Sequence, residues 1–169
     1  YYIHSQATVM QLRPHQERAL TAMQATDCGQ IYVPTGGGKT YIMIADALHR
    51  AAQGQTIVVV APRILLANQL CEEFMEHISG TWTHVCHAHS GETHYFSSTK
   101  PEKIALFNDT ARAASESCII FTTYHSLHRV VDSGINIDTI YFDEAHNGCG
   151  RHFHKAVFAT AQYAKRRYY

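Results

Sequence analysis

The chain lacks any run of about 18 consecutive apolar residues, and its first residues show no basic-then-apolar export pattern, so no membrane span or signal segment is expected. It lacks an excess of either charge. Fourteen Lys and Arg stand against fourteen Asp and Glu, with only 17% of residues charged, so no global field advertises a nucleic acid or a membrane. Contact with a polyanion would have to rest on a local groove of amides, hydroxyls and a few arginines. The five cysteines, Cys28, Cys71, Cys86, Cys118 and Cys149, are odd in number, widely spread and never arranged as C-x-x-C. This distribution argues against a disulfide framework, and reduced thiols in a cytoplasmic, reducing compartment are expected. Internal repeats and low-complexity linkers are also absent. With 169 residues and 46% apolar content, one domain with a substantial core is expected. Histidine is plentiful at 13 residues, so positive charge should build up as pH falls through about 6.5.

The most informative segment is Val33-Pro34-Thr35-Gly36-Gly37-Gly38-Lys39-Thr40. Three consecutive glycines let a backbone wrap an anion with its N–H groups turned inward, and the helix that follows adds its positive end. Lys39 can reach β- and γ-phosphates, and the Thr40 hydroxyl can ligate Mg²⁺. The general phosphate-loop pattern opens on Gly where this chain has Val33. A second signal is Thr139-Ile140-Tyr141-Phe142-Asp143-Glu144-Ala145-His146, an apolar strand pattern ending in adjacent acids. In open parallel sheets ligands sit outside the carboxyl ends of strands, so the loop and the acids should converge. Asp143 would then hold Mg²⁺, and Glu144 would polarise an attacking water.

Along the chain, helices are expected over residues 12–25, 39–53, 62–78, 124–131 and 152–163, with another after Pro101, and strands over 30–33, 56–61, 81–86, 118–122 and 139–142. Asp27-Cys28-Gly29 reads as a helix stop, residues 87–99 as a polar loop, and Lys165, Arg166 and Arg167 as the basic end of the last helix. Alternating strands and helices imply an α/β fold with a mainly parallel sheet flanked by helices on both faces. Tyr168 and Tyr169 look like the start of a strand, so the chain is expected to be a fragment of a longer protein. The cluster His84, Cys86, His87, His89 and His94 has metal-ligand residue types. On a strand, however, His84 and Cys86 share one face while His87 points to the other, so metal binding is not expected there.

The order of these motifs resembles the first RecA-like lobe of the superfamily 2 helicases and translocases. Leu12-Arg13-Pro14-His15-Gln16 resembles the family's glutamine motif, and Pro34 to Thr40 its phosphate loop, which often opens on an apolar residue as here. Ala61-Pro62-Arg63 with Gln69-Leu70, Thr122-Thr123-Tyr124, and Asp143-Glu144-Ala145-His146 are similar to further motifs in the right order. Nearly the whole chain is covered, and the restriction-enzyme and excision-repair branch looks closest. The resemblance implies a RecA-like P-loop NTPase lobe spanning residues 1–169 that uses ATP and Mg²⁺, with a second RecA-like lobe of the parent chain as partner. It implies that Arg13 and Gln16 lie at the adenine, that Pro34, Thr35, Gly36, Gly37, Gly38, Lys39 and Thr40 cradle the phosphates, and that Thr40 and Asp143 hold the metal.

Lys39, Asp143 and Glu144 are implied as the catalytic set, Arg63 and Thr123 as contacts to a nucleic-acid backbone, DNA before RNA, and His146 as a coupling residue. For Arg63 and Thr123, a helix-start residue and a capping threonine remain open alternatives. Residues 157–161, Val-Phe-Ala-Thr-Ala, resemble the family's Thr-Ala-Thr motif only superficially, and that motif is expected after residue 169. An unwinding helicase, a motor that translocates without unwinding, and a catalytically silent nucleotide-gated module are the three functions left open.

Overall fold

The computed structural model describes residues 12–26, 28–29, 38–78, 83–91, 93, 95–143 and 164–168. The helices are α1 (Pro14–Ala25), α2 (Lys39–Ala51), α3 (Ile64–Ile78), α4 (Pro101–Ala113) and α5 (Leu127–Asp132). The strands are β1 (Cys28–Gly29), β2 (Thr56–Ala61), β3 (Thr83–Ala88), β4 (Phe96–Ser97), β5 (Ser117–Thr123), β6 (Ile137–Phe142) and β7 (Ala164–Tyr168). The seven strands form one sheet in the order β1-β7-β6-β2-β5-β3-β4. Every pairing is parallel, as near-continuous apolar strands such as Thr56–Ala61 require when both faces are covered.

Strand alternation sends successive side chains into two separate cores. Ile57, Val59, Ile119, Phe121, Tyr141 and Tyr168 pack on one face beneath α1, α2 and α3, which contribute Met23, Ile42, Ala47 and Phe74. Val58, Val60, Ile120, Ile140 and Phe142 pack on the other face with Ile104 and Ala111 of α4 and Leu127 and Val130 of α5. The result is the α/β sandwich expected of a RecA-like lobe.

The amino edge of the sheet is closed by a polar lock. Asp138 Oδ2 accepts the Thr56 amide at 2.8 Å and the Arg112 guanidinium, while Arg112 Nε donates to Thr56 Oγ at 2.9 Å. Thr56 Oγ donates in turn to Asn108 Oδ1 at 2.7 Å, tying α4 to β2.

Several local expectations need correction. Residues 164–168 are strand, so Lys165, Arg166 and Arg167 lie in β7 between β1 and β6 instead of ending a helix, and Lys165 Nζ lies 3.9 Å from Asp138. Pairing with β6 overrides the helical reading of that basic run. Cys28 and Gly29 form β1 where a helix stop alone was expected. The strand expected over 81–86 runs on to Ala88 as β3, in register with β5, with residues 81–82 outside the described residues, and Phe96 and Ser97 pair beside it within the expected loop. α3 and α5 begin at Ile64 and Leu127, after short bends at 62–63 and 124–126. The expectations for residues 30–33 and 152–163 lie outside the described residues.

Candidate functional site

Helix α2 starts from a glycine that no other residue could replace without strain. Gly38 has φ +77°, and a Cβ there would lie 2.1 Å from Gln16 Nε2 and 3.4 Å from the Tyr41 ring. Its carbonyl accepts the Tyr41 and Ile42 amides at 3.0 and 3.3 Å and so opens the helix. With no side chain to cap the first turn, and no acid within it, the helix keeps its positive end directed outward at Lys39 and Thr40, which are half-buried. Gln16 is buried at 5% exposure. Its Oε1 accepts the Arg13 amide at 2.8 Å and its Nε2 donates to the Gly38 carbonyl at 3.3 Å, so the expected adenine reader also ties α1 to the start of α2. The Arg13 side chain is exposed. Pro34, Thr35, Gly36 and Gly37 lie outside the described residues, as do Glu144 and His146.

Asp143 directly follows β6, and its main chain is pinned on both sides. Its N–H donates to the Val60 carbonyl at 2.8 Å, and its carbonyl accepts the Tyr124 hydroxyl at 2.8 Å. The register pairs Val60 with Phe142, Ala61 with Thr123, and Ala88 with Thr122. The next row along the carboxyl edge therefore holds Asp143, Ala61, Thr123 and His89, all with the parity of the face beneath α1 to α3.

Helix α2 and β6 are also joined directly. Tyr141, two residues before Asp143, donates its hydroxyl to Asp46 of α2 in the buried core. Burial, and then the Asp46 carboxylate, push the Tyr141 phenol well above its ordinary pKa, so it stays a donor. A helix that links parallel strands through a right-handed crossover runs back against them, so the start of α2 and Asp143 extend toward the same sheet edge from this shared point.

Arg63 is exposed in the bend between β2 and α3, where its carbonyl accepts the Ala67 amide at 3.0 Å. Thr123, one strand away, is 4% exposed, and its hydroxyl accepts the Ser126 amide at 3.2 Å. Arg63 is thus presented to solvent at the strand end, whereas the Thr123 hydroxyl is engaged in the turn that precedes α5.

The histidines divide as strand geometry requires. His84 meets Glu116 at 2.8 Å on the side of Phe107, whereas His87 stacks on Phe121 and Tyr95 on the opposite face. His87 Nδ1 lies 2.9 Å from His89 Nε2, and His89 Nδ1 accepts the Gly91 amide at 3.1 Å. Burial, with His89 adding to it, lowers the His87 pKa to about 4. Among the described residues no group of three metal-ligand side chains occurs. The buried thiols are inert: burial raises Cys71 and Cys86 to about 12 and Cys118 higher still.

Sequence reasoning missed Asp46, Arg50 and the Tyr141 hydroxyl. The available signal was an acid on the buried stripe of α2, four residues after Ile42 and four before Arg50, where charged residues are rarely found without a partner.

A family model described as "Type III restriction enzyme, res subunit" matches residues 9–168. The chain belongs to this family. It is a RecA-like lobe of the superfamily 2 type, from the restriction-enzyme branch of those motors. Two solved structures share the fold. A nuclease-deletion mutant of the Type ISP restriction-modification enzyme LlaGI, in complex with a DNA substrate mimic, superposes with a TM-score of 0.74 at 18% identity, covering 94% of this chain. The ATP-dependent Type ISP restriction-modification enzyme LlaBIII, bound to DNA, gives 0.72 at 21% identity, again over 94% of this chain. The chain spans only 17% and 12% of those two proteins. Comparison with curated proteins gives no match.

Proposed function

We propose that this chain is the ATP-binding lobe of an ATP-dependent nucleic-acid motor that works with Mg²⁺ and a second RecA-like lobe. The observation that carries the reading is the pairing of α2 with β6, which sends the helix start and Asp143 from one buried hydrogen bond toward the same sheet edge. A left-handed Gly38 and a helix end without a side-chain cap suit a polyphosphate. A threonine hydroxyl and a carboxylate are hard oxygen donors, the kind Mg²⁺ takes. Bound there, the metal would neutralise charge on the phosphates.

Lys39 supplies charge at the phosphates, Thr40 and Asp143 are the metal's protein ligands, and Glu144 orients the attacking water. Pro34, Thr35, Gly36 and Gly37 complete the cradle, Arg13 and Gln16 face the adenine, and His146 couples the site to its surroundings. Arg63, with Thr123 beside it, meets the phosphate backbone of DNA along the carboxyl edge. An arginine from the second lobe, which can be worth about 10³ to 10⁵ in rate, is needed for fast turnover, so the isolated chain should hydrolyse ATP slowly.

The test is ATP turnover by the full-length protein with no DNA, single-stranded DNA and duplex DNA. Lys39→Ala should weaken both binding and turnover, and Glu144→Gln should bind ATP yet stall. Normal turnover in either variant removes the assignment. Membership of a restriction-enzyme family favours a second reading, a motor that moves along duplex without separating it. Duplex-stimulated ATP turnover without strand release selects that reading.

A further inference from the structure

On α2 and β6, below the proposed nucleotide site, lies a buried charged cluster. Asp46 is 0% exposed and Arg50, one turn later on α2, is 2% exposed. Arg50 Nε lies 3.5 Å from Asp46 Oδ2, and its Nη2 donates to the Met23 carbonyl at the end of α1 at 3.5 Å. The Tyr141 hydroxyl completes the group, and Asp46 Oδ1 has no hydrogen-bond partner among the described residues.

A buried ion pair of this kind contributes little net stability, because desolvation offsets its attraction, and apolar side chains of equal volume would hold α2 on the sheet at least as firmly. Apolar contact is non-directional, however, and does not fix the height of a helix over a strand. A hydrogen bond between one carboxylate and one hydroxyl does.

We propose that Asp46 and Tyr141 are positioning residues that set the height of α2 over β6, and thereby the separation of Thr40 from Asp143 across the metal position. The proposal rests on the nucleotide site described above. Thr40 precedes Asp46 by six residues, an arm of about 9 Å along the helix. Asp143 follows Tyr141 by two residues, an arm of about 7 Å along the strand. The two arms leave one anchor toward one edge, so a slip of α2 against β6 passes undiminished into the separation of the two ligands. A slip of one helical residue is about 1.5 Å, and Mg²⁺ requires near-ideal octahedral geometry with bonds of about 2.1 Å.

The experiment compares the affinity of a fluorescent ATP analogue in Mg²⁺ with that in excess chelator, alongside thermal unfolding, for the native chain and for Tyr141→Phe. The ratio of the two affinities isolates the metal's share of binding. Tyr141→Phe should lose about tenfold of the Mg²⁺-dependent gain, the low end for removing a group that holds a metal ligand in place, while chelator affinity stays within about twofold. Tyr168→Phe is the control. Its hydroxyl is equally buried but faces the Met23 and Thr26 carbonyls, so it should lower the melting temperature and leave the Mg²⁺ gain intact.

An unchanged Mg²⁺ gain in Tyr141→Phe, or an equal loss in both variants, overturns the proposal. If Tyr141→Phe does not fold, Asp46→Glu, which keeps the charge and lengthens the arm by one methylene, takes its place under the same criteria. Failure of the underlying reading looks different: the native chain would show no Mg²⁺ gain, and Lys39→Ala would bind the analogue as the native chain does.

Discussion

Acidification should destabilise this lobe through one buried histidine. The hydrogen bonds fix the tautomers of the His87–His89 pair. His89 Nδ1 accepts the Gly91 amide, so its proton is on Nε2 and is donated to His87 Nδ1, which leaves the His87 proton on Nε2. That last N–H is buried with no partner among the described residues. Protonating His87 at Nδ1 would bring two N–H groups face to face, and the ring is fully buried between Phe121 and Tyr95. The folded pKa of about 4 therefore lies below the 6.5 of the free ring, with burial the larger cause and His89 the smaller. Between these values the unfolded chain binds one proton more than the folded chain. Stability is thus unaffected by this ring above about pH 6.5 and falls as pH drops toward 4.

In full, the shift corresponds to about 3 kcal/mol, of which about 2 to 3 kcal/mol is lost by pH 4.5. His87→Phe keeps an aromatic ring in the slot and removes the titration. It should be less stable at pH 7.5, by about 1 to 3 kcal/mol for the His89 donor left without an acceptor. Its stability should then fall less steeply below pH 6.5, by roughly 1 kcal/mol per pH unit. Urea unfolding followed by circular dichroism at four pH values between 7.5 and 4.5 measures the difference, and the histidines other than His89 cancel in the comparison. Parallel curves for the two proteins would refute both the tautomer assignment and the buried neutral ring.

Three further outcomes can be measured. Gly38→Ala, at φ +77° and with its new methyl crowding Gln16, should lower stability by about 1 to 2 kcal/mol and weaken ATP-analogue binding, read by calorimetry and fluorescence titration. Asp138→Ala leaves the buried Thr56 amide without its acceptor and should cost about 1 to 3 kcal/mol in chemical denaturation while leaving analogue affinity unchanged. Arg63→Ala should reduce DNA affinity and lower the salt slope of binding by about one unit without changing the melting temperature, because the side chain is exposed and packs in neither core.

The sequence made the architecture legible because apolar strands of four to seven residues alternated with helical patterns, and β2, β5 and β6 appear close to where their β-branched runs lie. It misread the basic run at 165–167 because charge at a helix end and charge on a strand look alike in one dimension, and only pairing with β6 decides between them. The motif order likewise pointed to the family, and among the described residues Ala61, Thr123 and Asp143 each lie at the end of a strand. The Asp46–Tyr141 contact could not be read in the same way. Its residues are 95 positions apart, and no motif spacing ties Asp46 to Tyr141, although Tyr141 lies in the apolar run before Asp143. Asp46 carried only the weak sign of an acid on an apolar stripe, and Tyr141 passed for an ordinary strand aromatic.

The two edges of the sheet use polar side chains differently, and the difference separates stability from function. At the amino edge Thr56, Asn108, Arg112 and Asp138 bond to one another, so changes there act on the folded state. At the carboxyl edge Lys39 and Arg63 have no ion-pair partner among the described residues, and the main-chain groups of Asp143 and Gly38 are fixed through Val60, Tyr124 and Gln16. Those cations cost little stability, because each keeps contact with solvent, and under the proposed function a polyanion would replace that solvent. The Asp46 cluster lies between the two regimes, being buried like the first and aimed at the second. Its substitution should therefore be the case in which a loss of metal-dependent binding exceeds what the loss of stability accounts for.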